Sequence, residues 1–300
     1  MMISVIIPTF NKLSRLKLTL ASLCRQTLDR DNFEVIIIND GSTDGTKDYL
    51  DQYKADWRMK IINQSNQGRS AARNRGILAA AGDYLLFSDD DCLLSPDFIQ
   101  RHYFNQLQHE RIIHGRIITL SQMKFFDDPT QGTLINNAIT SSYIIPNCIS
   151  ENDVINGFDT KIVPNRRMNN LEKCITNIFA QKCEDLYWIG FTGGNVSVPK
   201  EWILKVGMFS MDFGMEWGCE DLELGYKLFL KKYQFDYDYE AINYHIAHAR
   251  LNFESEINNS FDKFSAMYHD VNIEILKNYL LGKINIIDLC KIDSNYLTEY

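Results

Sequence analysis

Four short, mainly apolar runs, three of them rich in β-branched residues, constrain the fold of this chain more than any other feature of its sequence. They occupy positions 5–7, 35–38, 60–62 and 84–87, and stretches with helical periodicity separate them at 13–23, 44–53 and 70–81. Because such runs lack a polar face, they predict strands of a parallel sheet that is covered by helices on both sides. The sequence therefore predicts an α/β fold built by repeated βα winding, with ligands bound beyond the carboxyl ends of the strands.

Composition limits the classes of partner. The chain has 300 residues and a formal net charge of −8, which disfavours a broad basic surface for nucleic acid or anionic lipid. Its seven cysteines include no C-x-x-C pair, so we expect reduced, mostly buried thiols rather than disulfides or a zinc site. The sequence shows neither a signal-peptide pattern nor an apolar run of roughly 20 residues. We therefore expect a cytoplasmic protein without a transmembrane segment.

The later part of the chain is less regular. Ser95 and Pro96 predict the start of a helix that ends near Gln108, and 111–120 predicts a strand. We interpret residues 121–187 as an insertion with one helix at 166–182. A strand is expected at 193–198 and a helix over about 220–232. The tail predicts packing within the chain, with a homo-oligomer contact left open, because one helical face carries Phe253, Ile257, Phe261, Phe264, Tyr268, Val271 and Ile275.

Three consecutive acids follow the fourth apolar run. Repulsion among Asp89, Asp90 and Asp91 at the end of a buried strand is poorly screened, and a hard divalent cation with oxygen ligands relieves it. Asp40 also ends a buried strand, where it could accept a base N–H or a ribose hydroxyl. Caps or turns would explain these acids equally well one at a time. Their shared position at strand ends predicts a single crevice.

A segment rich in glycine and arginine begins the third helix. Gly68 precedes Arg69, Arg73 and Arg75 in the sequence. Helix N-termini and guanidinium groups both suit phosphate. The segment alone is only a basic helix start, and at least one of its arginines is expected to face solvent.

Taken in order, these motifs resemble the family 2 glycosyltransferases of the GT-A fold. The fold implied is a mostly parallel, Rossmann-like sheet flanked by helices, and the donor implied is a uridine diphosphate (UDP) sugar. The resemblance assigns donor binding to Pro8, Thr9, Asn11, Asp40, Gly68, Arg73, Asp89 and Asp90, and Mn²⁺ or Mg²⁺ to Asp91 and Asp89. Cys92 stands where many members carry another acid. The resemblance rests on Ile6-Ile7-Pro8-Thr9-Phe10-Asn11, Asn39-Asp40-Gly41-Ser42-Thr43-Asp44, Asn66-Gln67-Gly68, Ala72-Arg73-Asn74-x-Gly76 and Phe87-x-Asp89-Asp90-Asp91.

A second resemblance covers the later part of the chain. Gly193-Gly194-Asn195 and Trp217-Gly218-Cys219-Glu220-Asp221 are similar to a segment of β-1,4-galactosyltransferases and bacterial chondroitin-type polymerases. It implies that Asp221 is the general base and that Glu220 binds the acceptor. Inversion requires one carboxylate to take the acceptor proton. Trp217 is interpreted as an acceptor-facing aromatic residue because it adjoins the acidic turn, although it could equally belong to the core.

Two histidines follow the acidic turn. A pair at the spacing of His245 and His248 could be merely structural. The galactosyltransferase-like segment implies a metal-binding histidine at this distance, with His248 the closer match and His245 the reserve ligand. Imidazole beside carboxylate oxygens favours Mn²⁺ over Mg²⁺.

The resulting hypothesis is an inverting, metal-dependent transferase that moves a hexose or N-acetylhexosamine from a UDP-sugar to a hydroxyl acceptor. The acceptor could be a glycan, a lipid-linked sugar, a peptide or a small molecule. Residues 1–120 would bind the nucleotide sugar, 121–250 the acceptor, and 251–300 would form a helical tail. The alternatives are a retaining N-acetylgalactosaminyltransferase-like enzyme, a nucleotidyltransferase and a non-catalytic sugar-nucleotide-binding module.

Overall fold

The computed structural model describes residues 1–135, 148–163, 167–215, 218–249 and 253–285. Strands and helices alternate through the first 120 residues, as the periodicity predicts. The strands are β1 Ile3–Thr9, β2 Phe33–Asp40, β3 Arg58–Gln64, β4 Tyr84–Ser88, β5 Cys92–Leu94, β6 Ile112–Leu120, β7 Phe126–Asp128, β8 Thr133–Leu134, β9 Asn195–Pro199 and β10 Phe235–Ile246. The helices are α1 Leu13–Leu23, α2 Thr46–Gln52, α3 Arg69–Ala79, α4 Phe98–Gln108, α5 Glu151–Asn156, α6 Asn170–Gln181, α7 Lys200–Lys205, α8 Glu220–Leu230, α9 Phe253–Tyr268 and α10 Val271–Leu280.

Eight of these strands form one sheet in the order β3-β2-β1-β4-β9-β6-β10-β5. The first four are parallel, which confirms the βα winding predicted for this part of the chain. β9 runs antiparallel between β4 and β6, and β5 runs antiparallel on the edge beside β10. The sheet therefore joins the early strands to β10 through β9 and β6.

The core lies on both faces of this sheet because successive side chains of a strand point to opposite sides. In β1, Val5 and Ile7 pack with α1 residues such as Leu16 on one face. Ile6 packs on the other face with Phe87 and the later part of the chain. The uniformly apolar runs are thus explained by two covered faces.

The prediction of full burial is wrong for the run at 60–62. β3 is the edge strand of the sheet, so Lys60 is exposed and Ile61 and Ile62 are only partly buried. The Lys60 ammonium donates to the carbonyl oxygen of Ala79 at 2.6 Å. Because β3 has a neighbouring strand on one side only, part of this run is exposed to solvent.

Several helix boundaries differ from those predicted. α4 begins at Phe98 with Asp97 at its N-cap, and the Ser95 hydroxyl donates to the Asp97 carboxylate rather than capping the helix. α6 is shorter than 166–182, because Asn169 caps it by accepting from the backbone N–H of Glu172.

The tail forms two helices rather than the single helix predicted. His269 adopts the left-handed backbone region with φ 52°, which separates α9 from α10. Ile257, Phe261 and Phe264 are buried in the main core, so packing within the chain is confirmed for them, whereas Val271 is 53% exposed. A homo-oligomer contact through this tail stays a prediction.

The described residues also test the predictions about membrane-spanning segments and cysteines. Among the described residues, no helix is both long enough and apolar enough to cross a bilayer. The six described cysteines are free thiols, as expected, but only Cys92, Cys174 and Cys219 are buried, and Cys24 is exposed. Mostly buried thiols are therefore found for only half of them.

Candidate active site

A cavity of about 270 Å³ lies beyond the carboxyl ends of β1, β2 and β4. Strand ends of a parallel sheet expose backbone groups and loops there, which makes this edge the usual ligand crevice. Of the predicted site residues, it is lined by Pro8, Thr9, Asp40, Gly68, Arg73, Asp89, Asp90, Asp91, His245 and His248. The cavity is also lined by Arg69, one of the three arginines of the basic helix start, and by five residues without a predicted role, Phe10, Lys12, Asn66, Ala72 and Met215.

The three acids occupy the turn between β4 and β5 and differ in their surroundings. Asp90 and Asp91 are almost fully buried, whereas the side chain of Asp89 is 36% exposed. The Thr9 hydroxyl donates to Asp90 at 2.7 Å. Burial raises the pKa of Asp90 to about 6, with Lys12 opposing the shift and Asp91 adding to it. The turn therefore holds carboxylates that differ in proton affinity.

Lys12 provides the nearest cation to this turn. Its ammonium lies 2.7 Å from Oδ2 of Asp91 and 3.4 Å from Oδ1 of Asp90. Burial alone would lower the pKa of Lys12, but the two acids raise it above its usual value. Burial likewise favours neutral Asp91, yet Lys12 and the nearby histidines hold the pKa of Asp91 well below its usual range. An ammonium–carboxylate pair thus sits inside the cavity.

Asp91, His245 and His248 form a candidate metal centre. Nε2 of each histidine lies 3.6 Å from an Asp91 oxygen, with His245 facing Oδ1 and His248 facing Oδ2. One potential ligand atom from each residue falls within 4.8 Å of the others. Ligands bound at about 2.1 Å around one ion stand roughly 3 to 4.3 Å apart, so a small adjustment would close the set. The donor set has one carboxylate oxygen, which suits Mn²⁺ and Mg²⁺ alike, and two imidazole nitrogens, which favour Mn²⁺ over Mg²⁺.

Strand pairing holds these ligands together. β10 lies beside β5, with His245 paired to Cys92, and the backbone N–H of Ile246 donates to the Asp91 carbonyl at 2.7 Å. The Cys92 side chain itself points into the core with Leu86 and Leu94. Burial raises the pKa of the Cys92 thiol well above its usual value. The residue that departs from the family pattern is thus part of the packing around α1 and α4.

Arg73 links the acidic turn to the later acidic pair. Its guanidinium donates to Asp89 at 2.8 Å and to Glu220 at 2.9 Å, and its side chain is only 4% exposed. Burial would lower the pKa of Arg73, but Asp89 and Glu220 raise it. The backbone of Gly193 lies against this guanidinium so closely that a Cβ there would approach Cζ to 2.5 Å. The first glycine of the pair at 193 and 194 makes room for this arginine.

Asp221 lies at the start of α8, on the far side of Glu220. It accepts from the backbone N–H groups of Gly193 at 3.0 Å and Leu222 at 2.9 Å. Burial raises the pKa of Asp221 to about 6, Glu220 adds to the shift and Arg73 opposes it. A carboxylate with that pKa is suited to take a proton near neutral pH.

Asp221 and Glu220 line a second cavity of about 70 Å³, between α8 and the tail helices. Its walls are mostly apolar, with Leu171 from α6 and Ile257 and Phe261 from α9. Oε2 of Glu220 is buried without a hydrogen-bond partner among the described residues. Arg69 lines this cavity as well as the first one, so the two cavities adjoin the same side chain at the start of α3.

Asp40 and Asn11 hold loops at the rim of the first cavity. Asp40 accepts from the backbone N–H groups of Gln67 and Gly68, each at 2.9 Å. Asn11 has φ 51°, is exposed, and accepts from the backbone N–H of Thr43 at 2.7 Å, without lining the cavity. Asp40 thus lines the cavity while tying the end of β2 to the loop before α3, and Asn11 orders the loop that follows β2.

Trp217 lies outside the described residues. The lining residues that sequence reasoning missed gave weak signals. Lys12 and Phe10 flank Asn11 in the first motif, and only the three-dimensional structure shows that both side chains reach the cavity. The excess of acids at the strand ends was a usable signal for a cation such as Lys12.

Comparisons with known proteins show the family to which the chain belongs. The model of "Glycosyl transferase family 2" matches residues 4–163, more than half of the chain. The chain therefore belongs to glycosyl transferase family 2.

Particular relatives cover much of the chain. Chondroitin synthase of Escherichia coli is 29% identical over 254 residues, which are 81% of this chain and 34% of the synthase. The putative glycosyltransferase EpsH of Bacillus subtilis is 41% identical over 100 residues, 33% of this chain and 28% of EpsH. The chain thus spans about a third or less of these two relatives.

Solved structures share the fold. Staphylococcus aureus TarS 1–349 in complex with UDP-GlcNAc has a TM-score of 0.58 at 16% identity, over 96% of this chain and 73% of that chain. The mannosyltransferase PcManGT from Pyrobaculum calidifontis, in complex with GDP-Man and Mn²⁺, has a TM-score of 0.60 at 14% identity, over 99% and 76%. The predicted GT-A fold is confirmed.

Proposed function

We propose that this protein is an inverting, metal-dependent glycosyltransferase that transfers a sugar from a nucleoside diphosphate sugar, UDP-linked in our preferred form, to a hydroxyl acceptor. The observation that carries the proposal is the position of Asp221. Asp221 directly follows Glu220, and the buried guanidinium of Arg73 pairs with both Glu220 and Asp89. Burial raises the pKa of Asp221 to about 6. A base and a donor site are thus joined by a direct chain of contacts.

The donor is assigned to the larger cavity. Asp40 at its rim suits a base or a ribose hydroxyl, while Lys12, Arg69 and Arg73 supply positive charge for a diphosphate. The neighbours TarS and PcManGT were solved with UDP-GlcNAc and with GDP-Man and Mn²⁺, which supports a nucleotide-sugar donor. Phe10, 43% exposed, offers an aromatic face to a base.

Asp91, His248 and His245 would hold the divalent ion, with Mn²⁺ preferred. When bound, such an ion neutralises the charge that develops on a diphosphate leaving group. Arg73 donates to both Asp89 and Glu220 and so fixes the position of one carboxylate relative to the other. The acidic turn and the acceptor side are therefore held in register before any substrate arrives.

The acceptor is assigned to the side of the second cavity. Its hydroxyl would donate its proton to Asp221, while the unpartnered Oε2 of Glu220 accepts a second acceptor hydroxyl. The backbone N–H groups of Gly193 and Leu222 orient the Asp221 carboxylate. The acceptor oxygen then attacks the anomeric carbon from the face opposite the diphosphate, which inverts that centre.

The test replaces the base and leaves the donor site unchanged. In Asp221→Asn, we expect donor affinity to stay within about twofold of wild type and Mn²⁺-dependent turnover of the best UDP-sugar or GDP-mannose to fall at least about 100-fold. Isothermal titration gives the affinity, and release of nucleoside diphosphate gives the rate. The control is Asp48→Asn, which changes an exposed acid on α2. Near-normal turnover in Asp221→Asn would reject it as the base.

The products distinguish the alternatives. Proton NMR of the glycoside reports whether the anomeric configuration is inverted, and retention would favour the N-acetylgalactosaminyltransferase-like mechanism. Sugar 1-phosphate among the products, with the nucleoside monophosphate transferred, would instead indicate nucleotidyl transfer. Donor binding without any turnover would indicate a binding module.

A further inference from the structure

Lys12 is anchored through its backbone, whereas its ammonium is held by ion pairs with Asp91 and Asp90. Its carbonyl oxygen accepts from the N–H groups of Arg15 and Leu16 at 3.0 and 2.9 Å, so its main chain belongs to the start of α1. The side chain extends from there into the larger cavity and is 31% exposed. Four rotatable bonds lie between the anchored backbone and the ammonium. The charged group can therefore relocate without moving the fold.

The Lys12 ammonium pairs with an Asp91 oxygen that the candidate metal centre would use as a ligand. Nζ of Lys12 lies 2.7 Å from Oδ2 of Asp91, and Nε2 of His248 faces the same oxygen at 3.6 Å. An ion bound by these two residues would stand within a few ångströms of the ammonium, where the repulsion of like charges is large. Lys12 and a divalent ion therefore compete for Asp91.

Asp90 gives the ammonium a second anchor. Its Oδ1 lies 3.4 Å from Nζ and does not belong to the candidate metal centre. Since Asp90 lines the cavity too, Lys12 can pivot on it toward the space assigned to the donor diphosphate. The movement replaces one anionic partner by another.

We propose that Lys12 is an exchangeable cation: it neutralises Asp91 before the divalent ion arrives, yields Oδ2 to the ion, and then pairs with the diphosphate of the donor. The inference rests on the proposed function, because it requires a metal-dependent donor site. It assigns two opposite effects to one residue, since Lys12 weakens the binding of the ion alone and strengthens the binding of nucleotide once the ion is present. A permanently structural ion pair would do neither.

The experiment measures both equilibria separately. Free Mn²⁺, followed by electron paramagnetic resonance, gives the affinity for the ion without nucleotide, and calorimetry at saturating Mn²⁺ gives the affinity for UDP. In Lys12→Met we expect Mn²⁺ to bind roughly 10- to 100-fold more tightly, the range that corresponds to one charge-assisted hydrogen bond. We expect the affinity for UDP to fall by at least about tenfold. The control Lys47→Met, which removes an exposed ion pair with Asp51, should change neither.

A second variant separates charge from shape. Lys12→Arg keeps the positive charge, so its affinities for Mn²⁺ and UDP should stay nearer to those of wild type than to those of Lys12→Met. A misfolded Lys12→Met protein would lose Mn²⁺ affinity, so tighter binding cannot arise from misfolding.

The outcomes separate this inference from the proposed function. Unchanged or weaker Mn²⁺ binding in a Lys12→Met protein that melts cooperatively as wild type does, with wild type binding both Mn²⁺ and UDP, overturns the exchange alone. Tighter Mn²⁺ binding without weaker UDP binding overturns the transfer to the diphosphate. A wild-type protein that binds no Mn²⁺ overturns both the metal-dependent function and the exchange.

Discussion

Replacing Gly193 by alanine tests the contact that joins the two sides of the site. Neither Gly193 nor its neighbour Gly194 has a φ in the left-handed region, so alanine fits the backbone at both positions. A Cβ at Gly193, however, would lie 2.5 Å from Cζ of Arg73 and closer still to Nη2, where ordinary contacts begin at 3.4 Å. The guanidinium must therefore move by about 1 Å, or the backbone of Gly193 must move away from Asp221.

The size of the effect follows from what that shift breaks. The hydrogen bonds from Arg73 to Asp89 and Glu220 measure 2.8 and 2.9 Å, and a displacement of about 1 Å takes them beyond hydrogen-bonding range. Disrupting a buried ion pair costs about 3 kcal/mol. For a chain of this length, that corresponds to a fall in Tm of about 5 °C. Misplacing the groups by about 1 Å should also slow transfer roughly 100-fold.

Gly194→Ala is the matched control. A Cβ at Gly194 would come no closer than 3.2 Å, to Oδ2 of Asp89, whereas Arg73 bonds Oδ1, so a shift of a few tenths of an ångström relieves the contact and keeps that bond. We expect this variant to lose less than about 1 kcal/mol. Calorimetric melting gives Tm, and nucleoside diphosphate release gives the rate. If Gly193→Ala melts within about 1 °C of wild type and turns over within twofold, the steric argument is refuted.

Three further predictions concern protons, the metal and the unusual cysteine. Because the pKa of Asp221 is raised to about 6 and a base must be unprotonated, kcat/KM should rise with pH and level off above about pH 6; a rate that is flat from pH 5 to 8 would contradict this. His248→Ala should weaken Mn²⁺ binding at least about tenfold by calorimetry, and full activity with unchanged metal affinity would remove His248 from the ligand set. Cys92→Ala should leave Mn²⁺ affinity unchanged and cost about 1 kcal/mol in urea unfolding, because the thiol lies in the core; a weaker Mn²⁺ affinity would give the thiol a role at the metal.

The parallel part of the sheet was predictable because both of its faces are covered. Val5, Ile6 and Ile7 are all apolar, which only a doubly covered strand requires. Position within the sheet was not predictable, since a short apolar run does not show whether it has one neighbour or two. The run at 60–62 proved to be in the edge strand β3, where Lys60 is exposed. The antiparallel direction of β9 was equally hidden, because side-chain alternation is the same in both directions.

The candidate site shows the same division. Strand-end acids could be assigned to one crevice from topology, and the family resemblance supplied His245 and His248, which do approach Asp91. Lys12 could not be placed, because the direction of a long, flexible side chain depends on tertiary contacts rather than on neighbouring residues. The bond between Arg73 and Glu220 was hidden for the same reason, since it joins α3 to α8 across the molecule.

The pairing of β10 with β5 has a consequence for the order in which the protein folds. Asp91 precedes His245 and His248 by about 150 residues, so bringing them together closes a very long loop. A ribosome-bound chain that lacks β10 has the acids of the β4–β5 turn but neither His245 nor His248. The ion therefore cannot serve as a template for the early strands. In the interval, Lys12, encoded close to β1, is the cation already at hand to keep Asp91 neutralised.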